Sequence, residues 1–387
     1  MRKICFITGT RSDYGIMAPI MHLIEESDKA ILQIIATNAH LSPDFGMTVK
    51  QIEDDGFRVD ARIASLVSGS TPESTVRSMA KVQEGLSVVL PDLRPDLVVI
   101  LGDRYEALAA ASATVVFGIP IAHLHGGETS EGAIDDLFRH AITKLSTLHF
   151  AATPGYARRI VKMGESPERV FHSGAPGAEP DLEQINSSLP GFYEKTGLNR
   201  GDRFIMVGMH PVTVLPDSGR GEMESLLEAL KPFIEEDYKI LFTMPNSDPG
   251  NTELRNQILK FREGNKGVFC VESLGSRLYH AAMTEASVLV GNTSSALIEA
   301  PACRLPSVNV GIRQKGREHG AAVLDAYPDK TDITEKIRTA LSPQFRDFVR
   351  SAAQEEINPY FKPSSVRFIA ETLINAPLPA TKPFFDG

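Results

Sequence analysis

Short, almost unbroken apolar runs recur along the first half of the chain. Each is followed by a polar loop and then by apolar residues at helical spacing. Residues 3–8, 30–37, 97–101, 119–124 and 148–152 form such runs. A strand covered on both faces reads as a continuous run rather than an alternation, so these predict a parallel sheet. The intervening spacing predicts helices over 16–26, 48–54, 72–90, 107–117 and 154–164, with further strands at 57–63 and 169–172.

From 174 to 201 the pattern loosens, and Pro176, Pro180 and Pro190 among scattered Gly, Asn and Ser predict a connector. Alternation resumes with apolar runs at 203–209, 238–243, 268–271, 287–290 and 306–310, and helices at 332–341, 344–354 and 364–375 close the pattern. This reads as an α/β chain of two doubly wound halves, 1–178 and 200–363, joined by a connector at 179–199. Halves of this kind place a deep cleft between their strand ends, where open α/β sheets take their ligands.

The strand ends carry the chemistry. Gly9-Thr-Arg-Ser-Asp-Tyr-Gly15 leads into a helix, and its free N–H groups suit a phosphate. Arg11 can hold phosphate oxygens bidentately. The segment is neither GxGxxG nor a Walker loop. His40 lies in the loop after the second strand. Asp103 and Arg104 follow the strand at 97–101, at the entry to a helix, where Asp103 also suits an N-cap. The densest stretch begins at the next strand end, with His123, His125, Gly126, Gly127 and Glu128, then a helix starting near Ile134. Asp136, His140 and Lys144 share one helix face, flanked by Asp135, Arg139 and Thr143. Leu137, Phe138, Ala141, Ile142, Leu145 and Leu148 make an opposite arc expected to pack on the core. In the second half, Gly291-Asn-Thr-Ser-Ser295 opens a helix with hydroxyls and free N–H groups, a second anion site formed by Thr293, Ser294 and Ser295. Glu299, one turn on, is placed to accept from a ribose diol. Two phosphate-suited turns without a nicotinamide fingerprint predict a nucleoside diphosphate sugar as ligand.

Composition removes several classes. A net charge of −9 argues against a general nucleic-acid binder. No apolar stretch is long enough for a signal peptide or a membrane helix, which predicts a cytoplasmic protein without a membrane partner. Three widely spaced cysteines, Cys5, Cys270 and Cys303, read as free thiols of a reducing compartment. The histidines show no zinc-ligand spacing, apart from His123 and His125, which on a strand share one face. No metal and no cofactor is expected.

Taken in order, these motifs resemble the hydrolysing UDP-N-acetylglucosamine 2-epimerases of sialic-acid (nonulosonic acid) biosynthesis. The matching segments are Gly9–Gly15, His40-Leu-Ser-Pro, Gly102-Asp-Arg-Tyr-Glu106, His125-Gly-Gly-Glu128, Ile134-Asp-Asp136 with Arg139-His-Ala-Ile-Thr-Lys144, Met209-His-Pro-Val-Thr213, Gly291–Ser295 with Glu299, and Arg313-Gln-Lys-Gly-Arg317. The resemblance implies a GT-B fold of two Rossmann-like domains, with a terminal helix (within 364–387) returning to the first. It also implies a homodimer or homotetramer. The implied reaction removes the proton at sugar carbon 2, expels UDP anti through a glycal, and adds water syn to give free N-acetylmannosamine. Asp103, Glu128 and one of Asp135 and Asp136 are then essential. Arg11, Arg104, Thr293, Ser294 and Arg313 would stabilise the leaving diphosphate, and His210 would donate to its bridge. Gly15, His40, His125 and His140 match binding positions. Asn246, Leu274, Gly275 and Arg313 match nucleotide-contacting ones. Relatives use UDP-N-acetylglucosamine, a GDP-linked version or a UDP-linked diacetamido trideoxy sugar leading to legionaminic-type acids. The alternatives to the first are therefore the other two sugars, or a non-hydrolysing epimerase releasing UDP-N-acetylmannosamine. A glycosyltransferase on the same fold would need an apolar docking face for its acceptor. A non-catalytic sugar-nucleotide sensor would have no use for four carboxylates.

Overall fold

The computed structural model describes every residue except Ser70, Asn246, Ser247, Pro249, Ala380 and Gly387. The chain divides into two compact units. The first holds Met1–Glu128, Asp135–Pro176 and Lys362–Gly387; the second holds Thr129–Ile134 and Gly177–Phe361.

The first unit is built on seven parallel strands: β1 (Arg2–Thr8), β2 (Ala30–Thr37), β3 (Ala61–Ile63), β4 (Leu97–Leu101), β5 (Ile121–Leu124), β6 (Leu148–Ala151) and β7 (Val170–His172). Their order is β3-β2-β1-β4-β5-β6-β7. Side chains of one strand alternate between the two faces. Ile4 and Phe6 of β1 join one buried cluster, with Met17 and Ile20 of helix Arg11–Glu25 and Ile369 and Leu373 of helix Ser365–Asn375. Cys5 and Ile7 join another, with Val82 and Leu86 of helix Pro72–Leu93 and Ala109 and Ala110 of helix Tyr105–Val116. The second unit has six parallel strands: β8 (Phe204–Gly208), β9 (Lys239–Thr243), β10 (Val268–Val271), β11 (Val288–Gly291), β12 (Ser307–Val310) and β13 (Val323–Ala326). Their order is β10-β9-β8-β11-β12-β13.

Both sheets reverse their winding once, between β1 and β4 in the first and between β8 and β11 in the second. A switch point leaves a crevice outside the carboxyl ends of the two strands, because their following helices go to opposite faces. Gly9 and Gly102–Asp103 lie at the first switch point, and Met209–His210 and Asn292 at the second.

Several expectations are corrected. The segment Gly9–Gly15 is mostly helix, not loop. Thr10 caps Asp13 and Asp13 returns the bond to Thr10 N, a capping box that starts the helix at Arg11. The strand expected at 57–63 narrows to β3. The expected connector at 179–199 contains the helix Leu182–Thr196, capped by Asp181 and ended by Gly197 at φ 75°; Phe192 is fully buried against Phe204 at 5.8 Å. Proline at 190 does not break it. All three cysteines are free, with Cys5 buried. Among the described residues, no helix is long and apolar enough to cross a membrane.

Candidate active site

In the first unit the site grows from β4, β5 and the helix Asp135–Leu145. After β4, Gly102 takes φ 76° and donates its N–H to Leu124 O at 2.9 Å, which turns Asp103 out at the strand end. After β5, His125 takes φ 64°, a left-handed conformation uncommon outside glycine. His125 therefore leaves the strand, and the expected shared face with His123 is not formed. Gly126 and Gly127 complete the turn. A Cβ on Gly126 would meet His123 Nδ1 at 2.8 Å, and one on Gly127 would meet Tyr156 O at 2.7 Å. The segment fits only because both residues lack side chains.

This turn delivers Glu128, fully buried, to the His125 ring: Glu128 Oε1 lies 2.6 Å from Nδ1. The other ring nitrogen, Nε2, is buried with no partner among the described residues. Beside them His123 bonds to Gly102 O at 2.7 Å and Thr143 Oγ1 at 3.2 Å, and burial pushes its pKa down to about 3. It is a neutral structural ring that ties the two strand ends together.

The helix Asp135–Leu145 packs Ile142 and Leu145 on the core as expected, but it is rotated so that part of its polar face is buried as well. Its buried residues are Arg139, Ile142 and Thr143, whereas Leu137, assigned to the core arc, is 70% exposed. The reason is electrostatic. Arg139, 1% exposed, donates to Asp103 Oδ2 and, at 3.2 Å, to Asp136 Oδ1. Two carboxylates near a buried guanidinium outweigh the packing of one leucine. His140 Nε2 lies 3.6 Å from Asp136 Oδ2, and burial lowers the His140 pKa. Asp103, Asp136 and Arg139 therefore form one hydrogen-bonded group with His140 beside it, and Asp135 opens the same helix.

At the first switch point, Arg104 stands immediately before the helix Tyr105–Val116 without a side-chain capping bond and pairs through Nε with Glu106 Oε1 at 2.6 Å. Arg11 opens the helix after β1, and Gly15 lies one turn further. His40 is fully buried between two hydroxyls, Thr8 at 2.9 Å and Thr48 at 2.8 Å, and burial lowers its pKa. It joins the ends of β1 and β2, with both ring nitrogens engaged.

The second unit arranges its residues around Asn292, which is fully buried. Its side chain accepts from His210 N at 2.7 Å and donates to His210 O at 2.9 Å, fixing the backbone that carries the imidazole. Arg313 donates to Pro211 O and Asn292 O, each at 3.3 Å, and lies 3.7 Å from Asp248. Thr293 and Ser294 precede the helix Ser295–Ala302, and Ser295 Oγ donates to Glu299. Glu299 also lies 3.3 Å from His280. Gly275, at φ 70°, follows the buried Leu274 into the helix Gly275–Glu285. Asn246 lies outside the described residues. Thr129–Ile134, between Glu128 and the aspartate pair, clusters with this unit: Glu131 N donates to Lys315 O at 3.0 Å, Glu131 pairs with Lys315 at 2.9 Å, and Ile134 N donates to Thr213 Oγ1 at 3.0 Å. Among the described residues, no group of three His, Cys, Asp or Glu side chains is placed to hold a metal.

Two Rossmann-like units with charged groups at both switch points define the GT-B class. The solved structure of a UDP-N-acetylglucosamine 2-epimerase from Neisseria meningitidis, bound to its sugar nucleotide, has the same fold, with a TM-score of 0.80 at 17% identity over 96% of this chain and 99% of that one. The model of the family described as UDP-N-acetylglucosamine 2-epimerase matches residues 22–374, and the chain belongs to that family. It is 35% identical over 348 residues to a hydrolysing GDP/UDP-N,N'-diacetylbacillosamine 2-epimerase of Campylobacter jejuni, covering 89% of each chain. It is 34% identical to the hydrolysing UDP-N,N'-diacetylbacillosamine 2-epimerase of Legionella pneumophila, covering 88% of this chain and 89% of that one.

Proposed function

We propose that this enzyme is a hydrolysing 2-epimerase of a UDP-linked 2-acetamido-2-deoxy sugar, and that Asp103, Glu128 and the pair Asp135 and Asp136 carry its proton transfers. The observation behind this reading is the clustering of acids in two different settings. Glu128 is sealed against one imidazole, whereas Asp103 and Asp136 share a guanidinium. The acids thus have different partners, and a reaction needing both a base and an acid draws on carboxylates in unlike surroundings.

In the reaction a carboxylate takes the proton from carbon 2. The bond from carbon 1 to the diphosphate oxygen breaks, the electron pair leaves with UDP, and a glycal remains. Water then delivers hydroxide to carbon 1 and a proton to carbon 2. Arg11 and Arg104 at the first switch point, and His210, Thr293, Ser294 and Arg313 at the second, supply the cations and donors that a departing diphosphate needs. Ser295–Glu299 and Leu274–Gly275 would hold the nucleoside.

The relative at 35% identity is named for GDP- or UDP-linked N,N'-diacetylbacillosamine and the one at 34% for the UDP-linked form, whereas the description of the family model favours UDP-N-acetylglucosamine. Proton NMR of each in deuterium oxide with pure enzyme separates them by turnover rate. Free UDP and the C2-inverted sugar, deuterated at carbon 2, are the expected products. A UDP-linked epimer as product would refute the hydrolysing reading, and a C2-protonated product would refute proton abstraction.

A further inference from the structure

Glu106 is an acid at the first switch point that the reaction above does not use. It is the second residue of the helix Tyr105–Val116. An acid in a first helical turn is ordinarily explained by the helix dipole, but that explanation is satisfied by a solvated side chain. Glu106 is only 4% exposed. Its carboxylate lies against the end of β1, where a Cβ on Gly9 would stand 2.7 Å from its Cγ and 2.9 Å from Oε1. One oxygen accepts from Arg104 Nε at 2.6 Å, and the other is buried with no partner among the described residues. A small cleft lined by Gly9, Asp13, Thr37, Arg104 and Glu106 opens beside it. Burying a carboxylate this deeply is costly without a compensating charge. Arg104 supplies that charge through Nε. A guanidinium held at Nε has its plane and the direction of both terminal nitrogens set.

We propose that Glu106 is a positioning residue that fixes the Arg104 guanidinium in the orientation needed to bind the substrate's diphosphate. This rests on the reading of Arg104 as a diphosphate ligand. Gly9 belongs to the same device, since any side chain there would push the carboxylate off Arg104. The carboxylate must reach Nε with its own length, so charge alone is not enough.

The test is a double-mutant cycle read by calorimetric UDP binding, with melting temperature recorded for each protein. R104A and E106A are each expected to weaken UDP binding about tenfold, the usual scale for losing a hydrogen bond to a charged group. The double variant R104A/E106A should bind no worse than R104A, because the two side chains act as one. E106Q should stay within about threefold of wild type, since its amide oxygen still accepts from Nε. E106D keeps the charge and the fold but draws the carboxylate back by a methylene, so it should weaken UDP binding like E106A at an unchanged melting temperature. Independent, multiplying losses in the double variant would overturn the proposal, as would full UDP affinity in E106D. Full affinity in R104A would overturn it by removing Arg104 from the diphosphate site itself, whereas R104A alone losing affinity would leave that reading intact and reject only the role of Glu106.

Discussion

Arg139 holds the acids of the first unit in place. Replacing it with Ala leaves Asp103 and Asp136, each about one-fifth exposed, without their shared cation, so the cost lies at or below the low end of the about 3–5 kcal/mol for breaking a fully buried pair from one side. Urea unfolding of R139A should show a loss of that order, with turnover abolished in the surviving folded fraction. E128Q is the complementary case. The amide keeps the size and the bond to His125 but cannot exchange a proton, so kcat should fall roughly 100- to 10,000-fold with the unfolding midpoint nearly unchanged. Near-native turnover in E128Q would remove Glu128 from the chemistry. The sequence made the carboxylates visible, because aspartates and glutamates next to glycines at strand ends have few structural uses. It did not reveal their clamp. At i, i+3 from Asp136, Arg139 reads as an ordinary helix-surface pair, and nothing in the local pattern marks a guanidinium that turns inward. The bond between His125 and Glu128 was equally hidden, since it depends on the left-handed turn at His125.

Elements followed the apolar pattern closely where they sit in the middle of a sheet and poorly at their ends. The strands were legible because burial on both faces leaves an unbroken apolar signature. The helix Leu182–Thr196 was not, because prolines and polar residues mask an amphipathic helix whose buried side is as sparse as Ile185 and Phe192. The helix Asp135–Leu145 was found, and Ile142 and Leu145 pack inward as its periodicity predicts, but the burial of Arg139 and Thr143 and the exposure of Leu137 follow site electrostatics that the periodicity does not carry. At this scale Asn292 is the most informative target. It splices the loops after β8 and β11, and N292A leaves His210 N and O without their buried partner, a cost of about 1–3 kcal/mol. UDP affinity should drop in step with the loss of thermal stability. Gly291 makes a stricter demand. It adopts φ 137°, and a Cβ there would stand 2.0 Å from Gly208 O on the neighbouring strand. G291A should therefore destabilise the second sheet on the order of 3 kcal/mol, measurable as a shift in the urea midpoint.

For the molecule as a whole, three buried groups make acid the destabilising direction. Burial keeps His123 neutral to about pH 3, and it lowers the His149 pKa against the pull of Glu165. In the unfolded chain both rings take a proton near pH 6.5, so the unfolded state binds more protons below that pH and stability falls as pH drops. Burial raises Glu165, but hydrogen bonds from His149, Lys144 and Lys382 outweigh it and hold its pKa at about 2. Its contribution is present above the usual carboxylate pKa and is lost as pH falls from there towards 2. Burial raises the Glu222 carboxyl to about 7, which works in the opposite sense over the window from pH 7 to 5. The urea midpoint of H123N should therefore fall less over that window than that of the wild type, and an equal fall in both would contradict a buried neutral ring at His123.

The first unit is also discontinuous in the chain. Helix Ser365–Asn375 places Ile369, Ala370 and Leu373 in the cluster begun by Ile4 and Phe6, and Arg2 donates to Leu373 O at 2.7 Å. Beyond it, Lys382 reaches Glu165 at 2.8 Å. A ribosome making this protein therefore releases the beginning of that core more than three hundred residues before its end. The stretch Gly177–Phe361 can collapse as it emerges, while β1 waits as an exposed apolar strand for a helix not yet translated. Nascent chains arrested after Phe361 should protect the second unit from protease and leave the first open to it. That long wait, rather than any weakness of the finished enzyme, makes the first unit the part most dependent on chaperones during synthesis.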